Sequence, residues 1–183
     1  MYRFRRIVVI DFDEFILPLV HTTLTELVAN LNQNYSTLAD PPANYVFRNQ
    51  YVFLDLPPDD DVPRHLTLLR YRRKAPLSGP GYSVKSIINP QACIAMHNHM
   101  CWTATPGYRN NVVEIRPDIA VNQHYKKCHH DNKTCTEMLA ESNRDDTMLR
   151  FKDALILKVA KKLAVIVLDQ ATNCLFNYSG NSC

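Results

Sequence analysis

Hydrophobic residues along the chain change their spacing several times, and each change marks an element. Residues 6–10, Arg-Ile-Val-Val-Ile, form a continuous β-branched run, the pattern of a central strand buried on both faces. The run ends in Asp11-Phe12-Asp13-Glu14, and Pro18 then breaks the chain. Leu24, Leu27, Val28 and Leu31 follow helical spacing, which predicts a helix capped by Thr22 or Thr23 and ending near Asn34. After the turn Asp40-Pro41-Pro42, residues 45–47 and 51–54 read as strands rich in aromatic and β-branched side chains. Further strands are expected over 82–88 and over 93–100, the latter carrying His97 and His99. Short apolar pieces at 112–115 and 119–121 then lead to Gln123-His124-Tyr125. From Thr147 to about Asp169, the positions Met148, Phe151, Leu155, Val159, Lys162 and Ile166 sample one face of a single long helix, with Asp145 or Asp146 as its cap. The acidic loop 57–63 and the basic stretch 70–74 read as solvated surface. No repeat and no linker divides the chain, so the expectation is one α/β domain over residues 1–183, built on a mixed sheet.

Composition narrows the function classes only slightly. With 46% hydrophobic residues, 21% charged residues and four Gly in 183, the chain is an ordinary folded domain, and its eleven Pro imply many irregular connections. A net charge of +3 suits a small anionic ligand and does not point to a nucleic-acid surface. The longest uninterrupted apolar run, Leu163 to Leu168, is far short of the ~20 residues that span a bilayer. Asp11 interrupts the first apolar run before it reaches signal-peptide length. The six Cys at 93, 101, 128, 135, 174 and 183 are either buried thiols or the mark of an oxidising lumen. Cys128 and Cys135 bracket a polar loop that a disulfide could close. The sequons at Asn34, Asn132 and Asn177 favour the lumen as well.

The candidate chemistry begins at Asp11 and Asp13. Carboxylates at i and i+2 on a strand face opposite sides, so the strand must end and turn, over 14–18, for the two to converge. Hard oxygen ligands of this kind suit Mg²⁺ or Mn²⁺ shared with the phosphates of a nucleotide. The bland reading is a strand end with solvated acids, but burying carboxylates against an apolar strand is costly and argues for a purpose.

Two families share parts of this pattern. The strand and its Asp-x-Asp resemble the first motif of haloacid-dehalogenase-type phosphatases, with Asp11 as the residue that is phosphorylated and Asp145-Asp146 as an acid pair for the metal. Phe15 and Glu14 depart from that motif. The sequence more fully resembles glycosyltransferase family 92. The resemblance rests on residues 7–18, with Asp-x-Asp-Glu-Phe and a following Pro; on Lys85-Ser86-Ile87-Ile88-Asn89-Pro90 followed by His99; on His124-Tyr125-Lys126; and on Asp146-Thr147-Met148 before the last helix.

That resemblance implies a GT-A-like mixed sheet flanked by helices, lacking the N-terminal Rossmann-like half, so that the chain is a partial glycosyltransferase domain. It implies metal-dependent, inverting transfer of a hexose, galactose by family analogy, from a nucleotide sugar such as a UDP-hexose to a glycan acceptor. Asp11, Asp13 and His124 would bind Mn²⁺ or Mg²⁺, with His99 in reserve. Lys85, His99 and Trp102 would bind substrate, Lys85 by offsetting phosphate charge and Trp102 as an apolar platform for a sugar ring. Lys126 stands where the family has Arg. Glu14 could orient the metal ligands, while Glu114, Asp118 and Asp131 are candidate bases. The resemblance also implies the Golgi lumen, with the membrane reached only through an anchor outside these residues. The alternative is a degenerate lumenal domain that binds glycan or protein without transferring sugar.

Overall fold

A single residue separates the strands formed by Tyr45-Val46-Phe47 and Tyr51-Val52-Phe53, yet the two strands enter different sheets. The computed structural model describes residues 4–35, 38, 40–109, 112–128 and 133–176, the last segment with side chains only over 136–165. In chain order the elements are β1 (Ile7–Val8), β2 (Glu14–Pro18), α1 (Leu24–Tyr35), β3 (Asn44–Phe47), β4 (Asn49–Phe53), α2 (Thr67–Arg70), β5 (Arg73–Lys74) and β6 (Lys85–Ile88). There follow β7 (Cys93–Met96), β8 (Cys101–Ala104), β9 (Val113–Glu114), β10 (Ala120–Lys126), α3 (Lys133–Ala140) and β11 (Asn143–Arg144). A 3-10 turn (Thr147–Phe151) then leads into α4 (Lys152–Phe176).

Among the described residues these strands form a four-stranded sheet in the order β1-β6-β3-β9, a five-stranded sheet in the order β11-β5-β4-β10-β2, and the hairpin β7-β8. Both larger sheets mix parallel and antiparallel pairs, so the fold is the expected mixed α/β. Contacts divide the chain into two units. One comprises Met1–Pro57 with Arg73–Asp145, and the other Pro58–Arg72 with Asp146–Cys183.

In the first unit, Leu27 and Leu31 of α1 pack with Ile16, Tyr45, Phe47, Ile87, Ile115 and Ala120 from both sheets. Helix α1 starts where its sequence requires. Thr23 Oγ1 accepts the Glu26 N–H at 3.1 Å, and Glu26 Oε2 accepts the Thr22 and Thr23 N–H groups at 2.9 and 3.2 Å, a reciprocal capping box.

Several expectations are corrected. Residues 6–10 do not form a central strand, since β1 is two residues long, half-buried and at a sheet edge. The turn falls at Asp11–Glu14, and residues 14–18 are themselves a strand; Pro18 is tolerated because β2 is also an edge. The strand expected over 93–100 stops at Met96 and folds back as β8, clamped by a Cys93–Cys101 disulfide. The expected long helix begins as a 3-10 turn, with no side-chain cap from Asp146.

The two charge runs are not simply surface. Arg72 is 3% exposed and bonds Asp59 at 2.8 Å, Asp61, and Asp146 at 3.5 Å; Lys74 is 4% exposed and pairs with Asp145 at 2.6 Å. Each buried cation is matched by acids from a neighbouring segment, which is what permits its burial. Cys128 is disulfide-bonded, while the side chain of Cys135 lies outside the described residues, as do Ser36, Asn132 and Asn177 of the sequons. No helix among the described residues is long and apolar enough to cross a membrane. Removing the α1 cap with Thr23→Ala is expected to lower stability by about 1 kcal/mol, read from the midpoint of thermal unfolding.

Candidate active site

Glu14 opens β2, Lys85 opens β6, and the two meet between the sheets. Lys85 is 1% exposed and Glu14 5%. The Lys85 Nζ lies 2.9 Å from Glu14 Oε2 and 3.0 Å from Asp11 Oδ2. Glu14 Oε2 also accepts the Asp11 N–H at 3.2 Å, while the Glu14 N–H donates to the Asp11 carbonyl at 3.1 Å. The turn Asp11-Phe12-Asp13 is therefore tied at its base to a buried ion pair and left open at its tip, where Phe12 is fully exposed. The hydrogen bond and charge of Lys85 hold the Asp11 carboxyl below the usual carboxylate value. Burial works against the Lys85 ammonium, but its bonds to Glu14 and Asp11 outweigh that cost and raise its pKa above the usual 10.5.

His124 stands beside this pair because β10 runs between β2 and β4. It is directly opposite Glu14 on one side and Tyr51 on the other, so the three side chains share one face of the sheet. Its Nε2 is 3.2 Å from Asp13 Oδ2, and its Nδ1 is 3.1 Å from Glu14 Oε1, a close approach without the alignment of a full hydrogen bond. The Tyr51 ring lies 5.3 Å from the imidazole, and Lys126 Nζ sits 5.2 Å over that same ring. The Tyr125 N–H donates to the Asp13 carbonyl at 2.8 Å, fixing the turn against β10. Asp11, Asp13, Glu14, Lys85 and His124 thus form one polar cluster.

His99 reaches the border of this cluster. Its Nδ1 donates to the Val84 carbonyl at 2.7 Å, beside Lys85 in the chain. Trp102 is not core; it is 62% exposed and stacks on His97. Of the candidate bases, Asp118 pairs with Arg116 on the surface, Glu114 lies 4.0 Å from Arg48, and Asp131 is outside the described residues. Asp145 and Asp146 are taken by Lys74 and Arg72, so the acid pair that a phosphatase reading needs is already neutralised.

The cross-sheet pair of Glu14 and Lys85 was not foreseen, although Glu14 was singled out as a possible orienting group. Position 85 lies in an apolar strand, and a lone Lys there is the signal that could have revealed it. Nothing in the sequence marks Tyr51 as the neighbour of His124.

The sequence pattern of glycosyltransferase family 92 matches residues 1–164. The chain belongs to this family. No curated protein matches the chain. The cluster offers the right kinds of donor for a hard divalent ion: an exposed carboxylate on Asp13, the neighbouring imidazole of His124, and the Asp11 oxygen that Lys85 does not occupy. Among the described residues no three such groups already stand together as a metal cage, and one Asp11 oxygen is engaged by Lys85. The donor set fits in kind.

Glu14→Leu leaves a buried ammonium with only the exposed Asp11 as partner, and is expected to cost about 3–5 kcal/mol in urea unfolding; Glu14→Leu/Lys85→Met recovers most of that loss. Because the folded-state pKa of Lys85 is raised, its stabilisation is complete below the ordinary value of 10.5 and lost as pH rises through the higher folded value. Alkaline titration should show this loss in the wild type and not in the double variant.

Proposed function

We propose that the acidic turn holds the diphosphate of a nucleotide sugar, through Mn²⁺ or Mg²⁺, and that the protein transfers a hexose from it to a glycan with inversion. The observation that carries this reading is the pairing of Asp13 with His124 at the open tip of a turn whose base is locked by Glu14 and Lys85. Membership in family 92 supports sugar transfer as the reaction. UDP-galactose is the donor suggested by the resemblance.

When bound, the metal supplies Lewis-acid stabilisation of charge on the departing diphosphate. The protein's own contribution is to present Asp13 and His124 together and to limit the freedom of Asp11. Lys85 is saturated by two carboxylates and wholly buried, which supports a role in shaping the turn over direct contact with phosphate. The Cys93–Cys101 disulfide supports an oxidising compartment, and we place the protein in the Golgi lumen. One observation favours a second reading, a glycan-binding domain without transfer: one Asp11 oxygen is already engaged by the Lys85 ammonium.

Titration with UDP and UDP-galactose, with and without Mn²⁺, separates the two readings. The first predicts metal-dependent binding that Asp11→Asn/Asp13→Asn abolishes and His124→Gln weakens about tenfold or more, in the range of a removed ligand or its support. A folded wild type that binds no nucleotide under these conditions would sink the transfer reading.

A further inference from the structure

The hairpin β7-β8 presents a feature that the diphosphate site does not use. Its two strands are joined by the Cys93–Cys101 disulfide, and the His97 N–H donates to the Met100 carbonyl at 3.0 Å across the turn. On this clamped frame the Trp102 indole stacks on the His97 imidazole, with centroids 4.3 Å apart and planes 12° from parallel. One indole face is thus covered by a flat polar ring. The residue is still 62% exposed, so much of the indole away from His97 meets solvent. Ile94 and Met96 of the same hairpin are also exposed.

Leaving an indole in water forgoes a large burial gain, so an exposed Trp held rigid by a stack and a disulfide is a surface prepared for a flat, partly apolar ligand. The neighbours say which. The His97 ring is 5.4 Å from the His99 ring, and His99 Nδ1 donates to the carbonyl of Val84, the residue next to Lys85, whose Nζ lies 3.0 Å from Asp11 Oδ2. The aromatic row Trp102–His97–His99 therefore runs from open surface toward Asp11.

We propose that the outer face of Trp102, backed by His97, is the acceptor subsite, and takes the C–H face of a pyranose ring one sugar unit removed from the reacting hydroxyl. A pyranose offers axial hydrogens to an aromatic face while its hydroxyls remain in water, which an exposed platform allows and a buried pocket would not. The proposal deepens the sugar-transfer reading and rests on it for the word acceptor; the binding itself does not depend on transfer.

Trp102 is the single Trp of the chain, so selectively excited tryptophan fluorescence reports on this position alone. Lactose and cellobiose, titrated separately into the wild type in the absence of nucleotide, should shift its emission saturably in the millimolar range expected for one stacked sugar. Trp102→Ala should weaken binding of the same disaccharides about tenfold by calorimetry, and Trp102→Phe should restore part of it. UDP binding with Mn²⁺ should be unchanged in both variants. Because Trp102 is exposed, its loss leaves the core intact, and a circular dichroism spectrum matching the wild type confirms it. Absence of any saturable change in the wild type with either disaccharide overturns the proposal. Loss of UDP binding in folded Trp102→Ala overturns it too, since the indole would then belong to the donor side. Disaccharide binding without any nucleotide binding would uphold the platform while removing the transfer reading.

Discussion

The ion pair between Glu14 and Lys85 is the constraint on which the site depends. It joins the first residue of β2 to the first residue of β6, and so bridges two sheets at the point where the chain crosses from one to the other. Two charges removed from water are expensive, and the cost is met only when each finds nearly all its partners. Here the ammonium has two carboxylates, and the Glu14 carboxylate has the ammonium, an N–H group and the approach of His124. What that pair provides is less net stability than position. The acidic turn cannot relax without uncovering a buried charge.

The same rule explains how much could be read from the sequence. The α1 helix was legible because both of its signals are local: an i, i+3, i+4 apolar face and a Thr-x-x-Glu cap. The strands at 45–47 and 51–53 were legible from their aromatic and β-branched content. Residues 6–10 misled because a continuous apolar run states that a segment is shielded, not which strands shield it, and β1 gains its cover from the edge of one sheet. Arg72 and Lys74 misled in the opposite sense. Charge runs are read as surface until their partners are known, and those partners lie at 59–61 and 145–146, distances in sequence that no local pattern reports.

The candidate site shows the same division. Asp11, Asp13 and His124 were named from motif order, and the fold brings Asp13 and His124 to 3.2 Å because β2 and β10 pair antiparallel with Glu14 opposite His124. Lys85 was expected to face phosphate, while its geometry gives it two carboxylates. The difference arises from burial, which a sequence motif does not record. Cys93 and Cys101 were counted but not paired, since six cysteines admit many connectivities and only the hairpin register brings these two together.

Arg48 alone lies between β3 and β4, one strand in each large sheet, and its guanidinium donates to the Ser78 carbonyl. Connections between strands usually drift in length during evolution, because a loop can lengthen without disturbing either neighbour. This one has no slack to lengthen. Adding or deleting a residue at position 48 would invert the faces of a whole strand in one sheet or the other, exchanging its core and outer sides. The junction is therefore a place where substitutions can accumulate but indels cannot, and its length should be a steadier signature of this architecture than any single side chain near the site.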